Sequence, residues 1–424
     1  MKGISMKIQI TNNPIIRLIC IFSIISLPMM PIFTRNVYYI FNLISVVIAS
    51  LVFILNKDKL TSLEKMMIVF IMLLIFSFTY SINLDRSKSL FTLILRIFLF
   101  SFAVIHLTYY YTGKNISKTI SFITRTYLLA TIAVTIYAFI FEFGKYRPNQ
   151  RFGELLFNES YGTYIFYSYH LLICDCILLY KLVLQHKEMN KNERLFTLLF
   201  ISILLIATFA NGTRKLFAGI FIYTAFLYFI EYRKQLKKLI KYTTYLLILS
   251  IIGLLITFNV SSLYQTIGRR IESLFSYVQK EDIDISTYKR NQMMNLGWNL
   301  FTQHPILGIG ANCYIEMNEL YNNMQLYSHN NYLEIGVNQG ILSLLVYYIW
   351  YFLVMYKLIV KLKKGEKVAV GFLSFLILEL FLDIWTVSYS REQFILTYNL
   401  IALYAYGKNQ NSRVENERGI TYEP

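Results

Sequence analysis

Twelve apolar runs, each near the ~20 residues a helix needs to cross a hydrocarbon core, fill most of the chain: 15–33, 37–55, 66–82, 90–112, 120–143, 161–185, 195–211, 216–232, 242–259, 339–360, 368–388 and 393–406. With 56% of its 424 residues hydrophobic and 15% charged, such a chain cannot hide its apolar surface in one soluble core. The expected fold class is an all-α integral membrane protein of about 12 transmembrane helices. No repeat at a fixed period divides it, so neither a solenoid nor a duplicated transporter is expected.

The net charge of +17 falls in short clusters between apolar runs, which excludes a nucleic-acid patch and reads as topology. Lysines and arginines are denser in alternate short connections: Lys57, Lys59 and Lys65; Lys114 and Lys118; Lys187, Lys191 and Arg194; Arg233 to Lys241; Lys361 to Lys367. By the positive-inside rule these are cytoplasmic, so both termini lie inside and the long segment 260–338 outside. The organisation expected is nine spans in 1–259, an extracytoplasmic catalytic loop at 260–338, and three spans with a cytoplasmic tail in 339–424. Lys2 and Lys7 precede the first apolar run, but no A-x-A cleavage signal follows it, so a retained span is expected. Arg17 and Arg125 lie near cytoplasmic ends, where they can snorkel, and take no role.

The segment 286–340 is the only long hydrophilic stretch, far longer than a connection needs. Met293, Leu296, Leu300 and Phe301 are spaced for an amphipathic helix over 288–303, which His304-Pro305 should stop. Gly308-Ile309-Gly310 makes a tight turn, and Ser328 or Asn330 can cap a helix beginning near Asn331. His329, between a polar turn and that helix start, is the natural general-base candidate. A helix N-terminus would favour its neutral, proton-accepting form. Arg214 sits in a very short outer hairpin, Arg290 opens the amphipathic helix, and Arg269 and Arg270 precede it. Several cations near one histidine on one membrane face suit a lipid-linked phosphate.

Within the spans, Arg96, Asp175, Glu379 and Asp383 are costly unless partnered, so an ion pair between Arg96 and a carboxylate is expected. Cys20, Cys174, Cys176 and Cys313 form no disulfide framework, and no histidine, cysteine and carboxylate spacing suggests a metal or other cofactor.

At His304-Pro305-Ile306-Leu307-Gly308-Ile309-Gly310-Ala311-Asn312, and at His329-Asn330 with Gly340 nine intervening residues beyond, the sequence resembles the O-antigen ligase and O-antigen polymerase (Wzy-type) superfamily of membrane glycosyltransferases. Arg290 and Trp298 fit the approach to the first motif, and Thr213-Arg214 fits the short outer loop. Arg151-Phe152-Gly153 with Asn158 loosely fits a further motif. Ser343, three residues after Gly340, departs from the Gly, Thr or Tyr usual in ligases. The resemblance implies a GT-C-like helical fold in the bacterial cytoplasmic (inner) membrane. It also implies undecaprenyl-diphosphate-linked oligosaccharides as donor and acceptor, with a chain-length regulator protein as a further partner.

On that reading the chain is a polysaccharide polymerase, with a ligase as the near alternative and a transporter of lipid-linked oligosaccharides as the distant one. His329 would act as base with Arg290, and Arg214, Arg151 and Arg269 would bind diphosphate. Gly308, Gly310, Asn330 and Gly340 would shape the loop. His329, Arg290 and Arg214 should converge on one cavity at the outer leaflet.

Overall fold

A computed structural model describes residues 11–30, 35–56, 60–142, 145, 152–157, 164–261, 264, 268, 272 and 285–407. The described residues form helices and turns with no strand. In chain order the helices are α1 (Pro14–Ser26), α2 (Arg35–Leu55), α3 (Ser62–Phe76), α4 (Leu84–Tyr111), α5 (Ile116–Glu142), α6 (Glu154–Phe157), α7 (Tyr164–Tyr180), α8 (Lys191–Asn211), α9 (Arg214–Tyr232) and α10 (Leu236–Asn259). After the polar segment begins come α11 (Ile285–Gln303), α12 (Tyr314–Asn322), α13 (Asn331–Lys363), α14 (Lys367–Leu382) and α15 (Glu392–Tyr406).

Among the described residues, eight of these helices are long and apolar enough to cross a membrane: α2, α4, α5, α7 with the turn after it, α8, α9, α10 and α13. This is a multi-pass membrane protein. Helices α3, α14 and α15 are apolar but only 15 or 16 residues long, below the length that spans a bilayer upright. Helix α14 lies against α9 and α13, and α15 against α4 and α13, so both are covered largely by protein. The core runs along this interior and is aromatic, with Trp350, Tyr347, Tyr351, Tyr389 and Tyr398 fully buried.

Local chemistry sets the ends. Thr61 with Glu64, and Asn190 with Glu193, form reciprocal caps at the starts of α3 and α8. Helix α8 ends on Gly212 at φ +63, and α9 starts two residues later, so the hairpin carrying Arg214 and Lys215 is as short as its sequence suggests. Helix α11 ends at Gln303, as the His304-Pro305 step requires. Its Met293 and Leu300 are buried in a small cluster with Tyr314 and Val337, while Trp298 faces out.

The polar segment is thus a folded cap, and it is tied to the start of α4. Arg86 Nε and Asn83 Nδ2 both donate to Glu316 Oε2, at 2.7 and 3.0 Å, and Ser87 Oγ donates to the Ala311 carbonyl at 2.7 Å. The arginine and asparagine contacts hold the Glu316 carboxyl below its usual range.

Candidate active site

The site begins with a break in a helix. At Gly340 the backbone of α13 turns to φ +72, ψ −178, a region open almost only to glycine. In an unbroken helix the Ile341 N–H would bond the Val337 carbonyl. Instead it donates to Pro305 O at 2.8 Å, while Ile309 N–H donates to Val337 O and Gly310 N–H to Asn338 O, both at 2.9 Å. The segment from His304 to Gly310 therefore docks backbone-to-backbone on the broken turn, and the orphaned groups on each side satisfy the other. The approach is close: a Cβ on Gly308 would lie 2.5 Å from Val337 O, and one on Gly340 2.0 Å from Ile306 O.

Buried polar side chains carry that order to His329. Glu334 Oε2 accepts the Ser328 N–H at 2.7 Å, and Glu334 Oε1 accepts from Asn338 Nδ2 at 3.0 Å. Asn338 Oδ1 in turn accepts the Tyr314 N–H at 2.8 Å. Ser328 Oγ closes a tight turn onto Asn330 O at 2.8 Å, and Asn330, not Ser328, caps α13 by accepting the Leu333 N–H at 3.0 Å. Asn331 then ties this turn to the connection between α14 and α15. Its N–H donates to Asp383 O at 2.7 Å, and its Oδ1 accepts from the N–H groups of Ser388 and Tyr389 at 2.9 and 3.2 Å.

His329 is held in the left-handed region at φ +57, uncommon outside glycine. Its ring lies 4.3 Å from that of Tyr327, and its buried Nδ1 has no hydrogen-bond partner among the described residues. Burial pushes its pKa down to about 3, helped by the positive charges of Lys215, Arg290 and Arg391. The imidazole is neutral, as a base must be, but the cause differs from the helix dipole expected from sequence: desolvation comes first and three cations second. Lys215 Nζ donates to Thr386 Oγ1 at 2.8 Å, and Thr386 also meets the Tyr169 hydroxyl at 3.0 Å. Arg391 Nη2 reaches the Tyr327 hydroxyl at 3.5 Å.

Of the residues expected from sequence, His329, Arg290, Asn330, Gly308, Gly310 and Gly340 therefore fall in one assembly. Arg214 begins α9 beside Lys215. Arg151 and Arg269 lie outside the described residues, although Phe152 is docked on the α8–α9 turn, its N–H donating to Ala210 O at 3.1 Å. The structure adds Lys215 and Arg391, which no motif singles out in the sequence. The signal for Lys215 was its place beside Arg214. For Arg391 it was its place as the one cation in the connection 383–391 between α14 and α15. Arg96 does pair with a carboxylate, but the partner is Glu392, at 3.1 Å, rather than Asp175, Glu379 or Asp383.

Residues 199–348, from α8 to the middle of α13, match a family model described as O-antigen ligase. No curated protein matches the chain.

Proposed function

We propose, from the match of residues 199–348 to a family model described as O-antigen ligase and the motifs that resemble the ligase and polymerase superfamily, that the chain polymerises polysaccharide from lipid-diphosphate-linked repeat units. The observation that carries this reading is the cation cluster of Lys215, Arg290 and Arg391 around a neutral, buried His329. A sugar hydroxyl of the acceptor attacks the anomeric carbon of the donor glycan. The anomeric C–O bond to phosphate breaks, undecaprenyl diphosphate leaves with the electron pair, and His329 takes the hydroxyl proton.

Each residue has a task that follows from its chemistry. Arg290, Lys215 and Arg391, with Arg214, Arg151 and Arg269 as further candidates, compensate charge that builds on the leaving diphosphate. A base with a pKa of about 3 is weak in the free protein. A seated donor places negative charges among the same three cations, which offsets their share of the depression and raises the basicity of His329, while the larger share from burial remains. Base strength then becomes conditional on a seated donor, which suppresses proton abstraction without a leaving group in place. A base on the acceptor hydroxyl contributes about 10²–10⁴-fold.

A ligase, moving finished glycan to a different acceptor, is favoured by the description of the matching family model and shares the donor half of this chemistry. Product analysis of purified protein with lipid-linked repeat units separates the two. Lengthened chains on the lipid diphosphate support the polymerase, and transfer only to another acceptor supports the ligase. Polymer formed in detergent, where nothing can be transported, would also remove the transporter. His329→Ala should abolish product while the protein stays in the membrane, and full-length polymer from that variant would remove His329 from the mechanism.

A further inference from the structure

A second cationic site lies at the far end of the same helices. Along α7, Tyr169 lies beside Thr386, and Lys181, directly after the helix, is twelve residues or about 18 Å further along. Helix α15 runs likewise from Glu392, next to Arg391, to Tyr404. There a cavity of about 370 Å³ opens between α5, α7, α14 and α15, with walls that include Ile120, Ile123, Ile173, Phe375 and Leu400. Arg125 and Lys181 also line it. Ser117, Ser121 and Arg125 are shared with an adjoining cleft of about 840 Å³, to which Arg17, Lys114 and Lys118 contribute.

The two spaces are chemically unlike. The first is walled by hydrocarbon and aromatic rings, and the second by hydroxyls, asparagines and four positive charges. Lys181 starts a five-residue π-helical turn, Lys181–Gln185, that continues α7. Such turns cost regular hydrogen bonding and gather at functional sites, and this one contributes Lys181 and Gln185 to the lining. Glu193 is the acidic group that acts on Lys181, against the like charge of Arg125. The balance remains positive, so a chain-like apolar ligand with one anionic end fits and a neutral one does not.

We propose that this face, opposite His329, binds one anionic phospholipid of the bilayer, its acyl chain in the cavity and its phosphate at Arg125 and Lys181. Arg17, Lys114 and Lys118 extend the positive field over the rest of the headgroup. The shared chemistry is a lipid phosphate, which a polyprenyl phosphate also offers. The room for a glycerol headgroup in the cleft of about 840 Å³ favours the bulk phospholipid. Occupancy would brace α5, α7, α14 and α15, which lead directly to the His329 site.

The test is native mass spectrometry of the full chain, purified in neutral detergent and titrated with phosphatidylglycerol, phosphatidylcholine, polyprenyl phosphate or inorganic phosphate. One phosphatidylglycerol should be retained, in preference to the others. Retention should fall about tenfold or more in Arg125→Gln/Lys181→Gln, which loses two charge-assisted contacts, and also in Ile120→Trp, which fills the cavity. Lys364→Gln, an exposed cation outside both spaces, should change nothing. Equal retention by the double variant, retention by Ile120→Trp, or an equal loss in Lys364→Gln would overturn the site. Tighter binding of polyprenyl phosphate would overturn the choice of ligand. Monodisperse elution of each variant excludes misfolding, and the two kinds of change test the phosphate and the chain separately.

Discussion

Replacing Gly340 by alanine tests the broken helix that organises the active site. The native backbone, φ +72 and ψ −178, costs a residue with a Cβ about 1–3 kcal/mol. The new methyl would lie 2.0 Å from Ile306 O and 2.3 Å from Ile306 C. Those are backbone atoms, which cannot rotate aside, so the docked segment must lift. Lifting releases the bonds from Ile309 to Val337, Gly310 to Asn338 and Ile341 to Pro305, each worth about 1 kcal/mol net. The total is roughly 4–6 kcal/mol, enough to detach the segment while the helices remain packed. Hydrogen exchange followed by mass spectrometry should show lost protection in the peptide covering 304–312, together with lost polymer synthesis. Gly365→Ala is the control: φ is +83 there, but nothing lies within 4 Å of the added methyl, so the cost is about 1–2 kcal/mol of backbone alone. If Gly340→Ala kept its protection and activity, or did no more harm than Gly365→Ala, the docking argument would fail.

Lys215→Met and Arg391→Gln should each lower kcat/KM for the donor about 10–100-fold, the worth of one charge-assisted contact to phosphate; unchanged kcat/KM would remove both from the diphosphate site. His329 has its pKa held at about 3 against an ordinary 6.5, so between those values the unfolded chain binds the proton more readily. Its contribution to stability is whole above about pH 6.5 and is lost as pH falls, by about 1–2 kcal/mol at pH 5 once its partial exposure is allowed for. Melting curves of wild type and His329→Gln should converge or cross on acidification, and parallel curves would refute the assignment. Arg96→Gln strands the buried Glu392 carboxylate and should destabilise by about 3–5 kcal/mol. Adding Glu392→Gln should recover part of that loss, whereas additive costs would show the pair does not interact.

Much of the frame was legible because lipid imposes one length and one period. The helix over 288–303, its stop at His304-Pro305 and the cap at Asn330 follow from local rules that tertiary contacts did not override. What local rules could not supply was pairing across the chain. Arg96 meets Glu392 only because α15 packs on α4, and nothing in the spacing of Glu379 and Asp383 marked them as the wrong partners. The start of α13 was hidden for a related reason. Four of its first nine residues, Asn331, Glu334, Asn338 and Gln339, are strongly polar, so an apolar count begins the span at 339, beside the break at Gly340. Polarity there marks residues buried against a folded cap: Asn331, Glu334, Asn338 and Gln339 are all almost fully buried.

That buried polar stretch explains why the site needs a break at all. A straight α13 would satisfy its own backbone and leave no donor or acceptor for the segment carrying Gly308 and Gly310 to bond. Breaking it at Gly340 opens one turn of backbone to that segment; Asn338 on that turn fixes Tyr314, and Glu334 one turn before it fixes Ser328. His329 is thereby anchored from the α13 side by Glu334 and, through Asn331, to the α14–α15 connection, while Arg391 comes from that same connection and Lys215 from α9. The cations repel one another, and burial first and their charge second hold the imidazole well below its ordinary pKa, an arrangement that costs stability in the free protein. Such a cost is sustained where a ligand of the opposite sign recovers it, which is the physical reason to assign the cluster to an anionic leaving group rather than to the fold.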